Sequence, residues 1–155
     1  MTLLFPEKIT YGRIIMHTET FLKYFFLFII GGFSYFYIEI LFRGYSHFSM
    51  IICGGTALIL CGIINQASHF RISVITQMLI SSCIITLLEL ITGYIVNIKL
   101  HLHIWDYSKL PYNLYGQICP AFSFIWMIAS LPCIFTDDII RWILFDEEKP
   151  QYKLL

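Results

Sequence analysis

Residues 21–42 read FLKYFFLFIIGGFSYFYIEILF, and this apolar run determines the fold class. A helix needs about 20 apolar residues to cross the roughly 30 Å hydrocarbon core of a bilayer. Three further runs meet this requirement, at about residues 49–66, 73–97 and 118–135. Their continuous apolarity favours helices over the alternating strands of a membrane barrel. The sequence therefore predicts an all-α, four-helix transmembrane bundle that forms one integral membrane domain over residues 1–155.

The composition of the whole chain agrees with this prediction. Of the 155 residues, 58% are hydrophobic and 13% are charged, whereas a soluble domain has about 25% charged residues. Ten basic and ten acidic residues leave no formal net charge, which excludes a basic nucleic-acid binder as well as a disordered chain. The expected partner is the lipid bilayer and not nucleic acid, and a homo-oligomer or a partner subunit stays open.

Both ends of the chain are predicted to form interfacial helical segments. Residues 1–20 carry scattered charges and no compact apolar region ending in small residues, so we do not expect a cleavable signal, and residues 6–20 could form a short interfacial helix before the first span. Residues 136–155 read TDDIIRWILFDEEKPQYKLL, in which the apolar residues share one helical face. Pro132 is expected to kink or end the fourth span.

Lysine and arginine predict the orientation, because cytoplasmic segments of membrane proteins carry an excess of them. With the N-terminus inside, seven basic residues lie on the inner side: Lys8, Arg13, Lys23, Arg71, Arg141, Lys149 and Lys153. Three then lie on the outer side: Arg43, Lys99 and Lys109. This bias predicts a multi-pass protein of the cell inner (plasma) membrane with both termini inside. The longest loop, at about residues 98–116, then lies outside.

Two carboxylates fall inside predicted spans. A charge at mid-membrane costs about 2.5–3.5 kcal/mol on insertion scales, so such residues face protein, find a partner, lie near the interface or become protonated. Arg43 follows Glu39 by four residues and shares its helical face. Gly93 and Asn97 follow Glu89 by four and eight residues, which gives the third span one polar face.

The predicted topology gathers polar residues at the outer end of the bundle. A long loop that is aromatic and polar is expected to fold back as a cap, and a pocket between helices is then the natural ligand site. The candidate ligand-binding residues of this outward-facing polar pocket are Glu39, Arg43, Glu89, Asn97, Trp105, Asp106, Tyr107, Asn113 and Gln117.

Simpler interpretations of these residues stay open. Glu39 and Arg43 could form an ion pair with no further role, and Glu89 with Asn97 could only hold the outer loop. The loop aromatics could form an interfacial belt at headgroup level. Each of these alternatives predicts a structural polar cluster without a ligand.

Other signals are weak. His101 and His103 lack a third ligand at usable spacing, so no metal site and no cofactor are expected. No motif of a known nucleophile or metalloenzyme occurs, and the catalytic residues of any enzyme are unknown. Five cysteines without CxxC spacing are expected to pack as small hydrophobic residues: Cys53, Cys61, Cys83, Cys119 and Cys133.

Four blocks in this order resemble the small bacterial membrane proteins of the putative ABC-transporter type IV, or putative ABC transporter permease, family. They read GGFSYFYIEILFRGYSHFSMIICGG, LELITGYIVN, WDYS and PYNLYGQICPAFSFIW, and they cover about residues 31–126. The resemblance implies a permease partnered by an ATP-binding subunit. It also implies these characteristic polar positions: Glu39, Arg43, Gly44, Glu89, Gly93, Asn97, Trp105, Asp106, Tyr107, Asn113, Gly116 and Gln117.

Three functions are compatible with the sequence. The first is a transporter component or permease-like subunit, in which Arg43 attracts an anionic group while Glu39 and Glu89 hold a cation or exchange a proton. The second is a membrane-embedded enzyme acting on a lipid or isoprenoid, with Glu89 or Asp106 as general base. The absence of a nucleophilic Ser or Cys nearby makes this second function weaker. The third is a non-catalytic structural or regulatory membrane subunit.

Overall fold

The polypeptide folds into four long helices. A computed structural model describes residues 6–68 and 71–154, with side chains from residue 18 onwards. The helices are α1 (Pro6–Arg43), α2 (Phe48–Ser68), α3 (Val74–Gly93) and α4 (Pro120–Phe145). A π-helical segment, Tyr94–Lys99, extends α3. The prediction of an all-α, four-helix fold is confirmed.

All four helices are long and apolar enough to cross a membrane. By length and composition, the candidate spans are Thr18–Arg43, Phe48–Ser68, Val74–Lys99 and Pro120–Phe145. Less than half of each apolar window is buried inside the protein, and large side chains such as Leu41 and Phe42 are more than four-fifths exposed. Such a surface requires a lipid bilayer around it. The chain is therefore an integral membrane protein.

The helix boundaries differ from the sequence prediction at both ends of the chain. α1 runs without a break from Pro6, so the predicted N-terminal segment continues into the first span. α4 passes through Pro132 and ends at Phe145 instead of about residue 135. In this extension of α4, the side chain of Asp137 is fully buried inside the bundle. The predicted N-terminal segment is thus continuous with α1, and the C-terminal segment is continuous with α4 only as far as Phe145, with residues 146–154 outside any helix.

Paired glycines bring α1 and α2 into close contact. A Cβ atom at Gly32 would lie 2.5 Å from the carbonyl oxygen of Ile51, and one at Gly55 would lie 2.6 Å from that of Phe28. Neither position accepts a larger residue without moving the helices apart, as in other small-residue interfaces between membrane helices. α2 also contacts α3 and α4, so it is the central helix of the bundle.

The two ends of the bundle are covered by different segments of the chain. At one end, which we call the loop end, α1 finishes, α2 begins and the α3–α4 loop (residues 100–119) packs against both α1 and α3. At the opposite end, which we call the tail end, α2 finishes and α3 begins. There the backbone N–H of Val74 donates to the carbonyl of Lys153 at 2.8 Å, so residues after α4 return to α3.

Candidate functional site

A cavity of about 270 Å³ opens between the helices and the α3–α4 loop. Most of its wall is apolar, with side chains such as Ile30, Met50 and Ile85. At the loop end the wall also carries polar and aromatic groups contributed by α1, α3, α4 and the loop: Glu39, Arg43, Glu89, Trp105, Tyr107 and Trp126. The carboxylates of the first and third spans thus line the same cavity.

Glu39 is held by two donors. Its Oε1 accepts a hydrogen bond from Nη2 of Arg43 at 2.5 Å, and its Oε2 accepts one from Oγ of Ser46 at 2.5 Å. Nη1 of Arg43 also donates to the carbonyl oxygen of Ile104 at 3.2 Å. The charge of Glu39 is therefore balanced by Arg43, which also ties α1 to the α3–α4 loop.

Glu89 has a different environment, because both of its donors are neutral. The hydroxyl of Tyr107 donates to Oε1 at 2.8 Å, and Nε1 of Trp126 donates to Oε2 at 2.8 Å. Among residues 18–68 and 71–154, no basic side chain forms an ion pair with Glu89. The Glu89 residue is 7% exposed, so it is a buried acid whose charge, when present, lacks a counter-charge.

Aromatic rings fix the two donors of Glu89. The ring of Tyr107 stacks on that of Phe122 with 4.2 Å between centroids, and Trp126 meets Tyr35 edge-on at 5.9 Å. Burial raises the pKa of the Tyr107 hydroxyl, and the nearby charge of Glu89 raises it further. Tyr107 therefore stays protonated at physiological pH and keeps donating to Glu89.

A second set of hydrogen bonds holds the α3–α4 loop on α3. Nδ2 of Asn97 donates to the carbonyl of Trp105 at 3.1 Å and to Oε1 of Gln117 at 2.8 Å. Oδ1 of Asn97 accepts from the backbone N–H of Ile104 at 2.7 Å. A Cβ atom at Gly93 would lie 2.5 Å from Oε1 of Gln117, so the glycine permits this close approach.

Asp106 and Asn113 shape the exposed part of the loop. Asp106 accepts hydrogen bonds from the backbone N–H and the hydroxyl of Ser108, at 2.8 and 2.9 Å, and these bonds lower the pKa of its carboxyl. Asn113 donates to the carbonyl of Leu110 at 2.8 Å and accepts from the N–H of Gly116 at 3.0 Å. Gly116 adopts a φ of 69°, a conformation that favours glycine.

The nine candidate residues thus fall into two groups. Five of them line the cavity: Glu39, Arg43, Glu89, Trp105 and Tyr107. The other four are absent from the cavity wall and bind the loop to itself or to α3: Asn97, Asp106, Asn113 and Gln117. Ligand binding by any of them stays a prediction, whereas a structural role in the loop is visible for the second group.

Sequence reasoning missed two features of the polar interior. Trp126 lies within the fourth apolar run of the sequence, although a buried indole N–H needs an acceptor and Glu89 provides one. Polar residues buried at the tail end were also missed, with Asn65, Asp137, Asp138 and Arg141 among them. Within the described part of the chain, no group of three or more His, Cys, Asp or Glu side chains is placed to hold a metal ion.

Comparison with known proteins assigns the chain to a family. No curated protein and no solved structure matches the sequence at a significant level. A family model described as "Putative ABC-transporter type IV" matches residues 26–145. This match includes every residue of the cavity wall and most of the membrane-spanning sequence. The chain is therefore a membrane protein that belongs to the putative ABC-transporter type IV family.

Proposed function

We propose that this protein is a permease-like subunit of the cell inner membrane that binds an amphiphilic ligand in the cavity. The carboxylate of Glu89 would receive a cationic or hydrogen-bond-donating head group, and the apolar wall would receive the rest of the ligand. The observation that carries the proposal is the position of Glu89, which lines the cavity and has neutral partners. Burying an acidic residue inside a membrane costs free energy unless it has a partner, and such residues commonly mark functional sites.

The charge at the loop end favours a cationic head group over an anionic one. Arg43 already forms an ion pair with Glu39 and donates to the carbonyl of Ile104, so it is less available to bind an anionic ligand. Glu89 has no such ion-pair partner, and a ligand ammonium group would supply the missing counter-charge. We therefore place the ligand head group at Glu89, in contrast to the sequence-based hypothesis that Arg43 attracts an anion.

The size of the cavity limits the ligand. Pockets for drug-sized molecules enclose roughly 300–1,000 Å³, and this cavity of about 270 Å³ lies just below that range. A small amphiphile, or the head and first carbons of a larger lipid, fits such a space. The family description is compatible with an ATP-binding partner subunit, and the lysine and arginine bias predicts that the loop end lies on the outer side of the membrane.

The test measures binding of a defined amphiphile to protein in lipid nanodiscs. Decyltrimethylammonium and decyl sulfate, each below its micelle concentration, are titrated while tryptophan fluorescence is recorded, since Trp126 touches Glu89. We expect saturable binding that prefers the cation. Glu89→Gln should weaken cation binding by about tenfold or more, because it removes a charge-assisted interaction.

The matched control is Asp146→Asn, another carboxylate-to-amide change at an exposed residue beyond the end of α4. This variant should bind the cation like the wild type. Equal binding of both amphiphiles, or unchanged binding by Glu89→Gln, would refute the proposal. If Glu89 only ties the loop to α4, the Gln variant will lose thermal stability instead of charge selectivity.

A further inference from the structure

We propose that a cluster of buried oxygen atoms at the tail end of the bundle binds a monovalent cation, with Na⁺ as the ion to test. This site is separate from Glu89 and does not depend on the function proposed above. Its residues come from α2, α3 and α4, and each is at most 2% exposed: Asn65, Gln77, Ser81, Asp137, Asp138 and Arg141.

The charges of this cluster do not balance. Asp137 pairs with Arg141, whose Nε lies 2.6 Å from Oδ2 of the acid. Glu147 pairs with Lys23 and also lies 3.7 Å from Nη1 of Arg141. Asp138 is the third acid, and among the described residues it forms no ion pair. Among the described side chains, three carboxylates thus face two basic groups, and with all of them ionised the cluster carries one excess negative charge.

The partners of Asp138 are neutral. Nδ2 of Asn65 donates to its Oδ2 at 2.6 Å, and the hydroxyl of Tyr152 lies beside the same carboxylate. Asn65 lies in the last turn of α2, where the negative end of the helix dipole adds to the excess negative charge. Neither hydrogen-bond partner carries a positive charge, and Arg141, whose charge also acts on Asp138, is paired with Asp137 and Glu147, so a cation would be stabilised at this place.

Oxygen atoms suited to a hard cation are available here. Four buried oxygens accept no hydrogen bond within the described part of the chain: Oε1 of Gln77, Oγ of Ser81, Oδ1 of Asp137 and Oδ1 of Asp138. Carboxylate, amide and hydroxyl oxygens are the ligands that hard cations prefer. Unpaired buried acceptors cost free energy, and one bound ion would satisfy several of them at once.

Hydrogen bonds and packing bring the side chains that carry these oxygens against residues 61–65 of α2. Nε2 of Gln77 donates to Oδ1 of Asn65 at 3.0 Å, which links Gln77 through Asn65 to Asp138. Ser81 lies one helical turn after Gln77, and its hydroxyl lies beside Cys61 of α2. The carboxylate of Asp137 rests directly on Gly62, where any Cβ atom would collide with it. The four side chains therefore contact one stretch of α2, residues 61–65.

The size of the excess charge selects the ion class. A monovalent cation brings the cluster to neutrality, whereas a divalent cation would leave one positive charge buried, and a water molecule would leave the negative charge in place.

Residues after α4 cover the cluster, since the ring of Tyr152 packs edge-on against Phe135 at 4.6 Å between centroids. Ion entry therefore requires this tail to move or the cavity beside Thr136 to admit it.

The experiment compares NaCl with choline chloride at equal ionic strength, using the full chain in nanodiscs. Thermal unfolding should show a saturable rise of the melting temperature with Na⁺ and none with choline. Equilibrium dialysis with radioactive sodium should give one ion per chain. Asp138→Asn removes the excess charge and should abolish both effects, whereas the exposed control Asp146→Asn should retain them.

A second variant keeps the test decisive if Asp138→Asn fails to fold. Ser81→Ala removes one oxygen ligand and no charge, so it should weaken sodium affinity by about tenfold or more while the protein stays folded. Equal stability of the wild type in Na⁺ and choline would overturn the proposal. So would stabilisation by acid alone without any difference between the two cations, because a proton would then neutralise the cluster.

Discussion

Glu39 and Glu89 line the same cavity, yet their partners differ in charge. Glu39 has a guanidinium group and a hydroxyl group as donors, whereas Glu89 has a phenol and an indole. One acid is therefore part of an ion pair that joins α1 to the α3–α4 loop. The other acid has no paired base among the described residues, so its interaction with a ligand cation would not compete with an ion pair. This difference between two residues decides which of them we assign to the candidate site.

The ion pair can be tested through the stability of the protein. Arg43→Met leaves the buried carboxylate of Glu39 with Ser46 as its donor, and we expect a loss of about 2 kcal/mol in the free energy of unfolding. The double variant Glu39→Gln/Arg43→Met should recover most of this loss, because no buried charge is then left unpaired. Equilibrium unfolding in mixed micelles gives these values.

Lys109→Met is the control for the ion-pair experiment. Lys109 is exposed and lies in the same loop, so its removal should change the free energy of unfolding by less than about 0.5 kcal/mol. Equal stability of Arg43→Met and the wild type would show that the pair contributes nothing to folding. Arg43 would then be free to interact with a ligand, as the sequence-based hypothesis assumed.

At the scale of helices, hydropathy predicts the number of elements well and their ends poorly. The four apolar runs correspond to the four helices, because every span needs a similar length of apolar sequence. The sequence predicts the end of α4 about ten residues early, since Pro132 and the shared apolar face of residues 136–155 indicate an interfacial segment, whereas Asp137 and Asp138 are buried. Asn65, far away along the chain, accounts for part of their burial, and a local pattern cannot reveal such a partner.

The candidate site was predicted in the same partial way. Topology alone brought Glu39, Glu89 and the loop to one end of the bundle, because alternate spans run in opposite directions. It could not separate the side chains that line the cavity, such as Tyr107, from those that hold the loop, such as Asn97. That distinction depends on side-chain direction along the π-helical segment after α3, which sequence spacing does not provide.

The substitution Asn97→Ala tests whether this π-helical segment holds the α3–α4 loop. Asn97→Ala removes three hydrogen bonds and leaves the N–H of Ile104, the carbonyl of Trp105 and the amide of Gln117 without this partner. Unsatisfied buried groups cost about 1–3 kcal/mol each, so the α3–α4 loop should detach from α3. Hydrogen exchange over residues 100–119 should become faster by about tenfold or more.

The comparison for this variant is Asn113→Ala. Asn113 bonds the exposed turn of the same loop, so its replacement should speed exchange near the turn and leave the segment beside Trp105 protected. If Asn97→Ala exchanges like the wild type, the aromatic contacts of Tyr107 hold the loop without Asn97. Amphiphile binding should fall in Asn97→Ala, because Tyr107 and Trp105 then leave the cavity wall.

At the scale of the whole molecule, the cavity extends between two polar ends. Its wall runs from Arg43 at the loop end to Thr136, which is the neighbour in sequence of Asp137 at the tail end. The face of α4 along this path carries Ala129, Pro132 and Cys133, which are small or apolar. The path of this cavity therefore ends one residue along α4 from Asp137 of the proposed cation site, whose own side chains do not line it.

The direction of this path depends on how the protein sits in the membrane. Seven basic residues against three predict that the tail end faces the cytoplasm. In a cysteine-free background, Tyr112→Cys in the loop should react with a membrane-impermeant maleimide on intact cells, since Tyr112 is 90% exposed. Leu154→Cys, in the exposed tail, should react only after the membrane is permeabilised. Labelling with the opposite pattern would place Glu89 near the cytoplasm, and the head group of the ligand would then have to enter from the inside of the cell.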